Sequence, residues 1–251
     1  MIKTAALLSL ASVAFTIGCA QPQGVSGAGS PLARQAIAAV GGANWQQVKS
    51  ISATAIVTRY DAAGAAFLTQ EQLLIDVNGG MIFAQAVLPE GNWQAGVPLC
   101  GQGQLQRSGP AGTADDNQRI ISDLRMMLVR VRGPLLFADG ASAGGPSMRR
   151  LGGQDLLRLP ISAQPLAGWT NRDRLQAMYL DGRTCLPRFL TSGGDEPGQP
   201  GTVTEYPGGA FRPVGGVAVP CRFDVYRIGE HALVGDQPVL KVELRNVRVQ
   251  N

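Results

Sequence analysis

Histidine is almost absent from this 251-residue chain, and its scarcity removes several kinds of chemistry. His231 is the single histidine, it lies in the polar segment GEHALVGDQ, and the chain has no nucleophile motif for it to serve. A Ser-His-Asp triad would have to use this residue, and no cysteine and histidine spacing typical of a metal site occurs. The carboxylates fall in turns and at helix starts, without a spaced pair for general acid–base work. We therefore expect no catalysis, no bound metal and no other cofactor.

The chain has few basic residues, and they are not clustered in the sequence. Charged residues make up 16% of the chain, and the formal net charge is +4. Arginine supplies most of the positive charge, because Lys49 and Lys241 are the only lysines beyond the first few residues. The arginines are scattered from Arg34 to Arg248 without a block, which argues against a nucleic-acid partner. Such scattered basic residues still favour contact with an anionic lipid surface.

Long apolar runs are missing except at the N-terminus. The apolar and small residues Ala5–Ile17 form a run that is too short and too poor in leucine for a bilayer-spanning helix. Gly18 then precedes Cys19, and a small residue before a cysteine is the pattern that lipoprotein signal peptidase cuts, leaving a lipidated cysteine. The sequence thus predicts a lipoprotein signal peptide over residues 1–18 and a lipid on Cys19. Cleavage after Ala20, without a lipid, is the alternative.

Residues 19–31 have the composition of a flexible tether. After Cys19 the segment reads AQPQGVSGAGSP, which holds no charge and too little apolar surface to offset its ordering entropy. About 220 residues remain, which is enough for one domain with a sizeable core. We expect a single domain over residues 32–251, carried outside the cytoplasm.

Three further cysteines remain once Cys19 is set aside, namely Cys100, Cys185 and Cys221. Exported proteins can form disulfides, and an odd number leaves one thiol free. Cys185 and Cys221 each lie close to a proline at a predicted strand start, so a bridge between these two is predicted. Three free thiols are the alternative.

Hydrophobic periodicity predicts an α+β chain in the order helix, strands, helices, strands. A first helix is expected within Pro31–Val48, ended by Gly41-Gly42, a second over Asp115–Val131, and a short one over Pro134–Phe137. The strands are expected at Ile51–Tyr60, Phe67–Val77, Met81–Val87, Asn92–Val97, Met148–Leu151, Leu156–Pro160, Arg174–Asp181, Pro187–Thr191, Thr202–Tyr206, Val217–Ile228 and Val239–Val249.

Alternating apolar and polar residues in these strands predict an antiparallel meander with one apolar face. In the last strand the alternation changes phase between Leu244 and Val247, which predicts a β-bulge near Arg245 and Asn246. The element order fits one broad antiparallel sheet that curls without closing and forms a trough covered by helices.

Several short motifs occur in an order that is more informative than any one of them. They are Gly41-Gly42 shortly before a tryptophan, YLDGRT followed by LP at 179–187, FRPVGGV followed by VP at 211–220, and VELRNVRV at 242–249. The set resembles the lipoprotein-carrier superfamily, which includes LolA, LolB and the LppX group. The first motif is similar to that family's opening segment, and the second is similar to its strand–turn–strand. The third is similar to its aromatic strand and the entry of the next strand, and the fourth is similar to its last strand.

This resemblance implies an open, incomplete antiparallel β-barrel wrapped around a small set of helices, with an apolar trough that holds acyl chains. The implied partner is a lipid or the acylated end of a lipoprotein, bound by a monomer. LolA itself is not lipidated, so Cys19 favours a LolB- or LppX-like role at the periplasmic face of the outer membrane. A soluble periplasmic protein is the alternative location. The alternative function is a non-enzymatic interaction or sensor module of the envelope with a filled core.

The apolar strand faces and the second helix supply the candidate residues of the trough. The helix contributes Leu124, Met127 and Leu128 as lid residues. The flexible thioether of Met127 can adapt to acyl chains of different shape. The strands contribute Leu73, Ile75, Phe83, Val87, Met178, Leu180, Phe223 and Val225. The alternative is that the helix fills the trough and that these residues form an ordinary core.

Overall fold

The computed structural model describes residues 30–89, 91–108, 113–138, 141–162, 174–193, 201–228 and 234–251. The predicted signal peptide, Cys19, most of the tether and His231 lie outside the described residues.

The first helix, α1, spans Pro31–Ala39 and is followed by a 3₁₀ helix over Gly42–Gln47. The predicted end of α1 at the two glycines is confirmed, since Gly41 has φ +119° and a Cβ there would lie 3.0 Å from the Cα of Val217. The chain then folds back, and the indole Nε1 of Trp45 donates to the carbonyl oxygen of Val40 at 2.8 Å.

The second helix, α2, spans Ala114–Arg132 and continues into a 3₁₀ helix over Gly133–Phe137, as predicted. Thr113 caps it, because its Oγ1 accepts from the amide of Asp116 at 3.1 Å while the Asp116 carboxylate accepts from the Thr113 amide at 3.3 Å. Every residue from Leu124 to Arg132 is buried, so the second half of α2 is surrounded by protein on all sides.

The described residues form fifteen strands. These are β1 Ser50–Tyr60, β2 Ala66–Asp76, β3 Met81–Ala86, β4 Asn92–Pro98, β5 Gln104–Ser108, β6 Ser142–Ala143, β7 Ser147–Leu151, β8 Gln154–Ser162, β9 Leu175–Leu180, β10 Pro187–Ser192, β11 Gly201–Glu205, β12 Phe211–Val214, β13 Val217–Pro220, β14 Arg222–Ile228 and β15 Val234–Gln250. Each predicted strand is present, and the periodicity missed β5, β6 and β12. The expected strand over Val217–Ile228 is two strands, separated at Cys221.

Thirteen of these strands form one antiparallel sheet in the order β5-β4-β3-β2-β1-β15-β14-β11-β10-β9-β8-β6, with β7 paired to β8. The last strand of the chain therefore lies beside the first, and β12 and β13 form a separate hairpin. No ladder joins β5 to β6 in the described part of the chain, so the sheet is not closed into a barrel. The predicted fold class, an open antiparallel sheet with few helices, is confirmed.

The inner face of the sheet, defined as the face that packs against the helices, carries many small side chains. Burial alternates along β1 and its neighbours, and α2 contacts β3, β4 and β5. The buried alanines of this part of the sheet are Ala53, Ala55, Ala84, Ala86 and Ala95. Because alanine leaves space above a sheet, α2 can lie close to it and fill the hollow with leucine and methionine.

The predicted bulge in β15 is confirmed. Ser52 pairs with Arg248 and Thr54 pairs with Arg245, so two residues of β15 lie opposite Ala53. One of them, Asn246, has φ +52°, a left-handed conformation that asparagine tolerates better than most residues.

Candidate functional site

Nine of the eleven predicted trough residues lie together in one packed core. Each of the nine is at most 4% exposed. They are Leu73, Ile75, Leu124, Met127, Leu128, Met178, Leu180, Phe223 and Val225. In this structure α2 therefore occupies the trough that the sequence predicted.

The prediction for Phe83 and Val87 is wrong. The inner face of β3 carries Ile82, Ala84 and Ala86, and Phe83 is 42% exposed on the outer face. It pairs there with Leu74 and lies against Gly96, where a Cβ would be 3.4 Å from the phenyl ring. Val87 lies just beyond the end of β3 and is 80% exposed. Neither residue faces the core.

A cleft of about 460 Å³ opens at the end of the sheet where β2 turns into β3. Its walls are α1, both 3₁₀ helices and the β2–β3 turn. The lining residues are Arg34, Ile37, Ala38, Gly42, Ala43, Trp45, Gln46, Val77, Asn78, Arg132, Leu135 and Ala138. The cleft contains none of the eleven predicted residues. Among the sequence motifs, the Gly41-Gly42 segment before Trp45 borders the cleft, but it did not predict one.

The cleft combines an apolar floor with arginine side chains. Trp45, Val77 and Leu135 are buried and belong to the main core, so the floor of the cleft continues into the packed interior. Arg132 lies on the wall, and its Nη1 donates to the carbonyl oxygen of Val77 at 3.1 Å. Arg34, on the exposed side of α1, adds a second cation. The volume lies within the range of about 300–1,000 Å³ found for small-molecule sites, and this lining suits an amphiphile with an anionic group.

A buried charged cluster ties α2 to the sheet. Arg59 on β1 donates from Nε to the Oδ2 of Asp123 on α2 at 3.0 Å, and its Nη2 lies 3.5 Å from the Oε1 of Glu71 on β2. The same Glu71 oxygen accepts from the hydroxyl of Thr69 at 3.3 Å. Burial raises the pKa of Glu71, and the attraction of Arg59 opposes that rise.

The far end of α2 is held by polar contacts as well. Arg130 donates from Nε to Thr204 Oγ1 at 2.9 Å, and its guanidinium lies 5.6 Å from the ring centre of Phe223. The hydroxyl of Tyr206 donates to the carbonyl oxygen of Arg130 at 3.0 Å. The helix predicted to be a lid is therefore fixed to the sheet along its buried length.

Cys100, Cys185 and Cys221 are free thiols, and the predicted Cys185–Cys221 bridge is not formed. The two side chains have different surroundings. The Sγ of Cys185 lies 3.8 Å from Oε1 of Gln35 on α1, while Cys221 is buried with its Sγ 3.5 Å from the carbonyl oxygen of Val219. The structure corresponds to the alternative of three free thiols.

Within the described ranges, no group of three histidine, cysteine or carboxylate side chains is placed to hold a metal ion. No helix among the described residues combines the length and apolar character that crossing a membrane requires.

The sequence itself matches no protein-family model, and it matches no curated protein. Solved structures with a similar fold exist. A DUF1329 family protein from Desulfovibrio piger aligns over 87% of this chain and 92% of its own, at 11% identity and a TM-score of 0.55. A putative outer membrane lipoprotein-sorting protein domain from Vibrio parahaemolyticus aligns over 88% and 91%, at 12% identity and a TM-score of 0.50. A LolA superfamily protein from Nitrosomonas europaea aligns over 87% and 94%, at 12% identity and a TM-score of 0.46.

These similarities concern the fold. Almost the whole described domain takes part in them, and almost the whole of each solved chain does too. The resemblance of the motifs to the lipoprotein-carrier superfamily is thereby confirmed at the level of the fold. Because a fold does not determine a function, the function of this chain must be argued from its own residues.

Proposed function

We propose that this protein binds the acyl chain of a lipid, or the acylated end of a lipoprotein, and that the cleft beside α1 is where the chain enters. The observation that carries the proposal is the composition of the cleft. Its floor is Trp45, Val77 and Leu135, and Arg34 and Arg132 stand on its walls. An acyl chain with an anionic head group has the matching distribution of apolar and charged atoms.

The free energy of such binding needs no reactive side chain. Each methylene removed from water contributes about 0.8 kcal/mol, so a long chain offers on the order of 10 kcal/mol before the costs of ordering it. A cleft of about 460 Å³ can receive part of such a chain. Because Leu135 belongs to both the cleft and the core, further chain would be accommodated by displacement of the 3₁₀ helix Gly133–Phe137.

The fold gives independent support. The Vibrio structure that shares it is described as a putative outer membrane lipoprotein-sorting protein domain. The proposal also gives a role to the predicted lipid on Cys19 and the tether over residues 19–31, which would hold the domain at the periplasmic face of the outer membrane. Labelling of cells with a radioactive fatty acid tests this anchor. Label that persists in a Cys19→Ser variant would contradict it.

The packed trough favours a second candidate function. The predicted lid residues Leu124, Met127 and Leu128 are fully enclosed in the core, which leaves no room beside them for a hydrocarbon chain. A non-enzymatic envelope interaction module with the same fold would bind its partner through the outer surface alone and would need no cavity. This candidate predicts that the purified protein binds no lipid at all.

The experiment that separates the two candidates is a binding titration with a cleft-blocking variant. The chain from Ala20 onwards contains the entire described core, so it can be purified without a lipid anchor and delipidated. Ala38 lines the cleft and is exposed, and Ala38→Phe fills part of it. Ala114 is an exposed helix residue far from the cleft, and Ala114→Phe is the matched control.

We expect a fluorescent long-chain fatty acid to bind the wild-type chain and the Ala114→Phe variant with equal affinity. Binding to the Ala38→Phe variant should be at least tenfold weaker, because the added ring takes the volume that the acyl chain would fill. Native lipid extract followed by mass spectrometry identifies what the wild type retains. Absence of binding to the wild type would reject the proposal in favour of the interaction module.

A further inference from the structure

The outer side of the sheet carries a concentration of cations that the sequence does not reveal. We call it the basic face, and it lies on β14 and β15 of the sheet and on β12 of the separate hairpin, which contacts β15. Its members are Arg212, Arg222, Lys241, Arg245 and Arg248. In the sequence these residues spread over nearly forty positions and look scattered. The pairing of β14 with β15 brings Arg222 opposite Glu243 and Lys241 opposite Asp224.

The bulge in β15 is what places two of these arginines together. Residues three apart in a regular strand point to opposite faces. Arg245 and Arg248 are three apart, yet they pair with Thr54 and Ser52, which both lie on the outer face of β1. The extra residue at Asn246 shifts the phase, so both arginines are exposed on the same face.

The basic face keeps an excess of positive charge after its internal ion pairs are counted. The carboxylate of Glu243 accepts from Arg245 at 3.1 and 2.9 Å, and Arg222 lies 3.5 Å from Asp224. The hydrogen bonds of Arg245, with added attraction from Arg212 and Arg222, lower the pKa of Glu243. Glu205 on β11 lies opposite Asp224, so five cations face three carboxylates. More than half of the side-chain surface of Arg222 and of Arg245 stays exposed.

The hairpin that carries Arg212 also contacts the C-terminal end of α1, where the amide of Ala218 donates to the carbonyl oxygen of Val40 at 2.8 Å. Nearby, the amide of Lys49 donates to the carbonyl oxygen of Gln250 at 2.8 Å, which adds one more exposed cation at this end of β15. Ten residues separate Cys19 from Ser30, and they can span at most about 35 Å.

We propose that the basic face docks on an anionic phospholipid bilayer and orients the domain on the membrane to which Cys19 is attached. A single acyl chain gives marginal membrane binding, and stable attachment takes a second signal such as a basic patch. The predicted lipid on Cys19 and the basic face would be two such signals on one chain. Anionic lipid is the occupant that the excess of cations favours, since clustered arginines bind phosphate groups strongly.

The test is co-sedimentation of the non-lipidated chain from Ala20 with vesicles. One set contains phosphatidylcholine with 30% phosphatidylglycerol, and the other contains phosphatidylcholine alone. The test variant combines Arg212→Gln, Arg245→Gln and Arg248→Gln. The control combines Arg107→Gln, Arg149→Gln and Arg150→Gln, which removes the same charge from exposed positions on β5 and β7. Thermal unfolding shows whether both variants fold.

We expect the wild type to bind the anionic vesicles and to lose that binding as the salt concentration rises. The test variant should bind roughly 100-fold more weakly, since each basic residue near an anionic surface contributes about fivefold. The control should lose less than threefold. Equal loss in both variants, equal binding to neutral vesicles, or no vesicle binding by the folded wild type would overturn the proposal. The fatty-acid titration of the cleft is independent of each of these results.

Discussion

Arg59 on the first strand and Asp123 on the long helix are joined by a 3.0 Å salt bridge inside the curled sheet. The bridge links two segments that are 64 residues apart in sequence, and it lies over the buried carboxyl of Glu71. It holds α2 in the trough that the sequence predicted to be open. This contact supplements the apolar packing and the Arg130 contacts that hold α2 against the sheet.

Replacement of Arg59 by methionine should destabilise the fold by about 2–3 kcal/mol. Removing one partner of a fully buried pair costs about 3–5 kcal/mol, and this pair is about a quarter exposed, which reduces the cost. Urea denaturation measures the loss. The control is Arg119→Met, which breaks the exposed pair of Arg119 with Asp116 and should change the stability little. Equal effects of the two substitutions would show that the Arg59 bridge contributes nothing.

Glu71 should make the stability of the fold depend on pH. Its pKa is raised by burial, so the folded state holds the proton at pH values where the unfolded state has released it. Its favourable contribution is therefore present below the ordinary carboxyl range and is lost as the pH rises through the raised value. Glu71→Gln removes this titration. Between pH 5 and 8 the wild type should lose stability relative to the variant, and parallel stability curves would contradict the assignment.

The bulge at Asn246 should be sensitive to the shape of the side chain. Its φ of +52° disfavours a β-branched residue, so Asn246→Val should cost about 1–2 kcal/mol in the free energy of unfolding. Asn246→Gly should stay within about 0.5 kcal/mol, because glycine adopts this conformation without strain. Chemical denaturation of both variants provides the comparison. A valine variant as stable as the glycine variant would mean that the bulge lies elsewhere.

The three thiols should be countable. In denaturant without reductant, the chain from Ala20 should react with three equivalents of a thiol reagent, because Cys100, Cys185 and Cys221 are free. In the native state Cys221 should react last, since it is buried and burial raises the pKa of its thiol. A count of one reactive thiol in denaturant would show instead that Cys185 and Cys221 form the predicted bridge.

Much of the fold was predictable because its signals are local. The helical spacing of apolar residues over Asp115–Val131 identifies α2, and the change of phase after Leu244 locates the bulge. Strand positions follow from alternation, which depends only on neighbouring residues. For these elements tertiary packing confirms what local propensity already favours.

The face of β3 could not be predicted in the same way. Met81 and Phe83 are larger and more apolar than Ala84 and Ala86, so the usual preference for buried large residues selected the wrong face. The alanines are buried because α2 approaches the sheet closely, which is a tertiary contact that no local pattern records. Adjacent residues of a strand point to opposite faces, so an assignment that is wrong by one residue exchanges the buried and exposed faces. Phe83 was assigned to the buried face in this way.

The cleft was hidden for a related reason. Its walls come from α1, from both 3₁₀ helices and from the turn after β2, and a hundred residues separate Arg34 from Ala138. No periodicity connects such segments. Hydrophobic periodicity identifies the apolar residues that fill the core. The candidate site is instead a cleft in which part of the core is open to solvent.

The measurement that tests the central claim most directly is photo-crosslinking with a fatty acid that carries a diazirine on its chain. The delipidated chain from Ala20 is irradiated with this probe, digested and mapped by mass spectrometry. The account predicts attachment to cleft residues such as Ile37, Ala38 and Gln46, and loss of that attachment in the Ala38→Phe variant. Attachment confined to the outer face around Leu74 and Phe83, or no attachment at all, would contradict it.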